Sequence, residues 1–201
     1  EVRDRVQEKY FARQAEVGEE AARAALFLIR DATFMTGSVM VVDGGYLLAG
    51  QTASFGAGAS DLYLIKTDAD GNLLWERTYG DEILYLGWGV AQTPDGGYVL
   101  AGWEAKTIDE RDVILIKTDP AGDVEWSHTW DFGERDGAFD LILTSDGHIV
   151  LACIQSMGSG SPSAALIKAD LDGNILWTKL VGQEGVGNTI WHLVEDADGG
   201  Y

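Results

Sequence analysis

The chain repeats itself with a period of about 51 residues, and this period constrains its fold more than any other feature of the sequence. Three marks recur in register. A Leu-Ile-Lys core followed by Thr-Asp or Ala-Asp stands at 64–68, 115–119 and 166–170. A tryptophan follows it in each copy, as Trp75, Trp126 and Trp177. An Asp-Gly turn, written DGGY or DGHI, stands at 43–46, 95–98, 146–149 and 198–201.

Each repeat is predicted to contain four short β-strands. The second copy has runs rich in β-branched, leucine and aromatic residues, which favour strands. These runs stand at 98–102, 112–119, 124–130 and 137–145. Turns rich in glycine and aspartate separate them. Because four strands in a unit of this length are typical of a propeller blade, we predict a mainly β chain of three four-stranded β-propeller blades.

The turns also predict how the chain is divided. A short α-helical segment at 1–36 comes first. It is followed by a junction strand with blade 1 at 37–94, blade 2 at 95–145, blade 3 at 146–197 and the start of a fourth blade at 198–201. Propellers close with four to eight blades, so this number predicts an open, incomplete ring. We expect apolar faces at both ends and self-association through the open blade edges.

Residues 43–201 resemble the β-propeller repeats of secreted bacterial and archaeal proteins. The resemblance rests on DGGYVLAG, LIKTD and GNLLW, and the element D-x-D-G-N-x-L-W is similar to the quinoprotein-type repeat. It is specific for the architecture and implies no particular ligand. A quinone-dependent dehydrogenase is one possible function, but it would need a closed ring and a cofactor cage, and only the generic repeat is present.

Residues 1–36 have a helical pattern. Val2, Val6 and Tyr10 fall on one helical face. The segment EEAARAALFLIRDA at 19–32 begins with two glutamates and carries Arg30 near its end, which suits the helix dipole. With TFMTGSVMVVDGGY after it, residues 1–46 resemble the C-terminal tail of short-chain dehydrogenases/reductases. In that family the tail closes a parallel sheet and contributes to subunit contacts and to the edge of the substrate pocket.

The motifs that give this family its activity are missing from the sequence. No Gly-x-x-x-Gly-x-Gly cofactor turn and no Tyr-x-x-x-Lys pair occurs in the chain. Without that pair no proton donor accompanies hydride transfer. We therefore assign no catalytic, cofactor-binding or metal-ligating residue and no cofactor. The sequence therefore predicts a non-catalytic β-propeller segment that serves as a binding or scaffold surface for an unknown ligand. The alternative is a truncated short-chain dehydrogenase/reductase, an NAD(P)-dependent oxidoreductase that lacks its cofactor and catalytic motifs.

The two resemblances meet in the shared DGGY. Residues 37–46 align without a gap on residues 89–98, so SVMVV falls where the propeller repeat places the strand GVAQT. A gene fusion, a recombination or an assembly error at the shared stretch would produce such a chimera, and the sequence looks like a fragment. The propeller part suggests secretion or a periplasmic location, whereas the dehydrogenase tail suggests the cytoplasm.

The charge of the chain excludes some partners. Residues 1–36 hold 7 acids and 6 bases, a net −1, and residues 37–201 hold 26 acids and 8 bases, a net −18, which together give −19. Such a surface repels phosphate backbones and anionic lipids, so nucleic acid is an unfavourable partner. No apolar run reaches the roughly 18 residues of a membrane span. The single Cys153 excludes an internal disulfide.

The repeated polar and aromatic residues have structural interpretations. The Asp-rich turns at 68–72, 119–123 and 170–174 lack the spacing of an EF-hand calcium loop and are predicted to be turns with a left-handed glycine. We expect the three repeated tryptophans to pack between blades. The repeated lysines are expected to pair with the aspartate two residues later or to face solvent; they are Lys66, Lys117 and Lys168.

The remaining candidates are histidines and loops. His128, His148 and His192 have no ligand spacing and are expected at surface or turn positions. The loops at 54–60, 105–111 and 158–163 vary most between copies and occupy the same place in each repeat. Since propellers bind ligands through variable loops on one rim, these loops indicate a binding surface but no ligand.

Overall fold

The computed structural model describes residues 39–42, 45–54, 56–57, 59–107, 110–156, 163–181 and 187–201. These residues form twelve β-strands and no helix. The strands are β1 Val39–Val42, β2 Tyr46–Thr52, β3 Asp61–Thr67, β4 Leu73–Tyr79, β5 Leu84–Gln92, β6 Tyr98–Thr107, β7 Glu110–Thr118, β8 Val124–Trp130, β9 Gly137–Leu143, β10 Ile149–Gln155, β11 Ser163–Ala169 and β12 Ile175–Leu180. The α-helical segment predicted at 1–36 lies outside the described residues.

The strands form three antiparallel sheets of four strands, each running up and down in chain order. The first sheet contains β1 to β4, the second β5 to β8 and the third β9 to β12. Isolated parallel bridges, Ser60 with Leu84 and Arg111 with Arg135, tie each sheet to the next. The described strands do not close into a ring. The prediction of a mainly β chain with three four-stranded sheets is confirmed.

The predicted grouping of the segment 137–145 with the three strands before it is wrong. β9 pairs with β10, with Leu141 opposite Leu151, and so opens the third sheet. β5 pairs with β6 and opens the second sheet in the same way. The Asp-Gly turn is a tight hairpin, closed by the bond from Thr93 N to Gly97 O at 2.9 Å, and therefore joins two strands of one sheet. The repeat unit and the sheet are offset by one strand.

The strand at the junction of the two resemblances takes the position that the repeat pattern predicts. β1 pairs with β2, with Val39 opposite Ala49 and Val42 opposite Tyr46. β5 occupies the same first position in the second sheet, with Val90 opposite Leu100. Residues 39–42 therefore complete the first sheet as its first strand.

The core lies between consecutive sheets, because the inner strands are apolar on both faces. One buried cluster joins the first sheet to the second and includes Leu62, Leu64, Leu100 and Ile116. A second cluster joins the second sheet to the third and includes Val99, Leu115, Leu151 and Ile167. A smaller cluster comprises Tyr46, Leu48, Tyr63 and Ile65 of the first sheet. The fourth strand of each sheet, by contrast, exposes most of its residues.

Candidate functional site

The repeated lysines are not paired as the sequence pattern predicted. The Lys117 ammonium lies 2.9 Å from Asp95 Oδ2 and 2.8 Å from Glu125 Oε2, and only 3% of the residue is exposed. Lys168 Nζ lies 2.7 Å from Asp146 Oδ2. The predicted partners are wrong, and so is the alternative of solvent exposure for these two lysines. The aspartate of the Asp-Gly hairpin takes the expected partner's place.

The aspartates that were expected to bind the lysines hold the next turn instead. Asp68 Oδ1 accepts hydrogen bonds from Asp70 N at 2.9 Å and from Asn72 N at 2.8 Å. Hydrogen bonds from Asn72 lower the pKa of Asp68. Gly71 has φ +80°, in the left-handed region. The predicted turn geometry is confirmed, and the same hydrogen bonds recur around Asp119 and Asp170.

A lysine, a tryptophan and a tyrosine meet where the first two sheets contact. Lys66 Nζ donates to the hydroxyl of Tyr98 in the next sheet at 2.5 Å, and the Trp75 ring lies 5.8 Å from that of Tyr98. The arrangement recurs beyond the third sheet, where Lys168 Nζ donates to Tyr201 OH at 2.8 Å.

The copy of this contact between the second and third sheets has a different composition from the other two. Trp177 lies 6.3 Å from Tyr201, as Trp75 lies from Tyr98 in the first copy at 5.8 Å. Between the second and third sheets, Ile149 stands where the other copies have the tyrosine. Isoleucine offers no hydroxyl, and there Lys117 binds Glu125 in addition to the hairpin aspartate.

Trp75 and Trp126 pack between sheets, as predicted, although both are only partly buried, whereas Trp177 contacts Tyr201, which lies in no described sheet. Trp75 packs against the first inter-sheet cluster and Trp126 against the second. The Trp126 ring also lies 4.9 Å from the His128 ring, and His128 Nε2 lies 3.0 Å from Asp172 O in the next sheet. The Trp75 and Trp126 rings therefore cover the outer side of the two contacts between the described sheets.

The histidines do not form a common site. His148 Nδ1 lies 3.0 Å from Asp146, within the hairpin turn, and His192 Nδ1 lies 3.5 Å from Asp140. His128 sits on the outer strand β8. Each has its own partner, so the prediction of surface and turn positions is confirmed.

The variable loops occupy the same connection in each sheet, between its second and third strands. Part of each loop lies outside the described residues, namely 55, 58, 108–109 and 157–162. The expectation that they bind a ligand stays a prediction.

A groove of about 680 Å³ opens between the first and second sheets. Its floor is formed by Ile114 and Ile116 of β7, which are buried. Two buried tyrosines flank it, Tyr79 at the end of β4 and Tyr85 on β5. The sequence repeat gave no sign of this groove, because its lining comes from five separate strands and a loop.

Carboxylates make the wall of the groove acidic. Asp81 stands in the loop after β4 and Glu104 on β6. Burial raises the pKa of Glu104, although hydrogen bonds from Thr129 and Tyr85 oppose the shift. Burial also raises the pKa of Tyr85, and the neighbouring Glu104 and Asp81 add to this effect. The Tyr85 hydroxyl thus interacts with both carboxylates.

Three aspartates form a second cluster, at the loop that crosses from the second sheet to the third. Oxygens of Asp112, Asp131 and Asp136 lie within 4.8 Å of one another. Carboxylates at such distances suit a hard cation. Asp136, however, accepts hydrogen bonds from Phe132 N at 2.6 Å and Ser156 N at 2.8 Å with its two oxygens. Burial raises its pKa, and its evident role is to hold the loop.

Comparisons with known proteins do not assign the site. No protein-family model matches the chain. A search of curated proteins likewise gives no match. Among the described residues no helix has the length and apolar character needed to cross a membrane.

Proposed function

We propose that the three sheets are blades of a β-propeller and that the protein serves as a binding or scaffolding segment without chemistry of its own. The observation that carries this proposal is the repeated lysine–aromatic contact. It joins the first sheet to the second through Lys66 and Tyr98, and it recurs beyond the third sheet through Lys168 and Tyr201. A contact that joins two sheets and is made again beyond the last one is suited to adding a further sheet there.

The segment 187–201 supports the same proposal, because it repeats the start of a sheet. Trp88, Phe139 and Trp191 occupy equivalent positions, with ring centroids 6.3 Å apart in the first pair and 4.9 Å in the second. Asp196 N donates to Gly200 O at 2.8 Å, as Thr93 N donates to Gly97 O. The turn at 196–200 therefore has the hydrogen bond of the hairpins that open the other sheets, while residues 187–195 form no strand.

The outer side of this segment is apolar and exposed. Tyr98, covered by the first sheet, is 1% exposed, whereas Tyr201 is 42% exposed. Trp191 is 57% and Val194 75% exposed. Exposed apolar groups that lie together favour association. The net charge of −18 on residues 37–201, from 26 acids and 8 bases, opposes association over distances that salt shortens.

We therefore expect the chain to self-associate through this face, and more strongly as salt is added. Sedimentation velocity should show larger species as the screening length falls from about 30 Å at 0.01 M salt to about 8 Å at 0.15 M. Val194→Asp should weaken association by about tenfold, since it places a charge in an apolar contact.

Leu74→Asp is the matched control, because Leu74 is 56% exposed on the outer strand β4, away from this face. It should leave association unchanged. A strict monomer at every salt concentration, or equal effects of the two variants, would contradict the proposal.

A further inference from the structure

We propose that the groove between the first and second sheets binds a small organic cation, namely an amine attached to an apolar body. This inference concerns a site within the described sheets. It does not depend on how many sheets follow or on whether the chain associates.

The size and the floor of the groove suit such a ligand. Its volume of about 680 Å³ falls within the roughly 300–1,000 Å³ of small-molecule sites. Ile114 and Ile116 present an apolar floor, and the Tyr79 and Tyr85 rings stand beside it. Tyr79 is held in place because its hydroxyl donates to Gly122 O at 2.8 Å. A small apolar body can therefore replace water here without disturbing the sheets.

The charge of the groove selects the polar end of the ligand. Asp81 and Glu104 both line it, and none of the described lining residues is lysine, arginine or histidine. Arg77 stands two residues before Tyr79, but its Nε lies 3.5 Å from Asp123 and its guanidinium lies over the Trp75 ring. An ammonium group near Glu104 would supply the positive charge that the half-buried carboxylate lacks.

The equivalent gap between the second and third sheets shows that the groove is not a general property of the repeat. There Trp130 and Phe132 pack against the inter-sheet cluster. Phe132 stands 51 residues after Asp81, Gln155 stands 51 after Glu104, and Leu180 stands 51 after Thr129. Three polar groups of the first gap are thus replaced by two apolar side chains and a neutral amide. The carboxylates of the first gap are thus absent at their own repeat positions, and the acids of the second gap stand elsewhere, in the connecting loop at 131–136.

The groups around Glu104 determine how binding depends on pH. Tyr85 on β5 and Thr129 on β8 donate to it, while Asp112 on β7 and Asp81 in the loop after β4 are the acidic neighbours. Burial and these acids hold the pKa of Glu104 above its ordinary value. A cation binds the ionised form, so its affinity should fall as pH falls through the pKa of Glu104.

Isothermal titration with phenethylamine hydrochloride tests the proposal on the full chain. Phenethylamine should bind saturably at neutral pH, whereas 2-phenylethanol, of the same shape without the charge, should bind at least about tenfold more weakly. Glu104→Gln should reduce phenethylamine affinity by about tenfold for the same reason. The matched control Glu110→Gln removes one exposed charge outside the groove and should change affinity less than about twofold.

A second variant keeps the proposal testable if Glu104→Gln does not fold. Asp81→Phe introduces the residue of the second gap at an exposed position, so the chain should still unfold cooperatively while the filled groove no longer binds the amine. The proposal fails if phenethylamine shows no saturable binding. It fails equally if the alcohol binds as tightly, or if Glu104→Gln and Glu110→Gln behave alike. Sedimentation is a separate readout, so this failure is distinguishable from that of the proposed association.

Discussion

The ammonium groups of Lys117 and Lys168 lie close to the inter-sheet contacts, where each must replace the water that it loses on folding. The Lys117 ammonium forms ion pairs with Asp95 and Glu125 and donates a hydrogen bond to the Thr118 carbonyl. Burial lowers the pKa of Lys117, but its hydrogen bonds to Glu125 and Asp95 outweigh burial and raise it. Its contribution to stability is therefore complete below the ordinary lysine pKa of about 10.4 and is lost only as pH rises through the raised value.

Lys117→Met should lower the free energy of unfolding by about 1–3 kcal/mol, because it leaves the Thr118 carbonyl without this donor while methionine fills the space of the lysine stem. Urea denaturation measures the change. Lys179→Met is the matched control. Lys179 is exposed on β12, over the Trp177 ring, and its loss should cost less than about 0.5 kcal/mol. Equal effects of the two variants would show that the ion pairs of the buried Lys117 contribute nothing to stability.

At the scale of elements, the turn between the third and fourth strands makes different contacts in each of the three sheets. Gly71, Gly122 and Gly173 have φ between +78° and +83° in the hairpin before the tryptophan strand. A Cβ on Gly71 would meet nothing within 4 Å. On Gly122 it would lie 3.1 Å from the Trp75 ring, and on Gly173 2.2 Å from His128. The second and third turns therefore contact the preceding sheet.

Gly71→Ala should cost about 1–2 kcal/mol, which is the strain of a left-handed alanine. Gly122→Ala and Gly173→Ala should each cost at least about 1 kcal/mol more, because Trp75 or His128 must also move. Thermal unfolding of the three variants measures the series, in which Gly71→Ala serves as the internal control. Three equal losses would indicate that these turns have no role in holding the sheets together.

The sequence was sufficient to place the strands but not to assign all of them to sheets. The predicted run 124–130 coincides with β8, and 98–102 lies within β6. The segment 137–145 was assigned to the wrong sheet, because the link at 131–136 contains the same glycine and aspartate residues as a hairpin. Only the pairing of β9 with β10 distinguishes the two. Turn chemistry predicts where a strand ends and not which partner it finds.

The groove between the first and second sheets could not be predicted from the sequence, for a related reason. A repeat is recognised by what its copies share, whereas the groove depends on where they differ, as Asp81 and Phe132 do. Glu104 and Thr129 come from separate strands, and no short spacing connects them. The lysine partners were missed because the hairpin aspartate lies on a neighbouring connection, 22 residues before Lys117. A comparison of the copies position by position was the available signal.

At the scale of the whole molecule, two sets of carboxyl groups respond to acid in opposite directions. Burial raises the pKa of Glu104 and of Asp136, so their contribution is complete below the unfolded value of about 4 and is lost as pH rises through the folded value. Hydrogen bonds from Thr93 and Lys117 lower the pKa of Asp95 to about 2. Its contribution is present above about 4 and is lost as pH falls toward 2.

We therefore expect the thermal midpoint to rise as pH is lowered from about 8 to about 5, and to fall again below about 4. Protonation of Glu104 and Asp136, and the relief of repulsion within the net charge of −19 that it brings, both act before the pH reaches about 4. Scanning calorimetry across this range measures the profile. Added salt should reduce the part of the rise that comes from repulsion, because exposed charges are screened. Glu104→Gln should reduce the rise in the thermal midpoint that remains at high salt. Glu110→Gln should not reduce it, since Glu110 is exposed. A midpoint that is higher at pH 8 than at pH 5 would mean that paired carboxylates, rather than buried and crowded ones, dominate the stability of this chain.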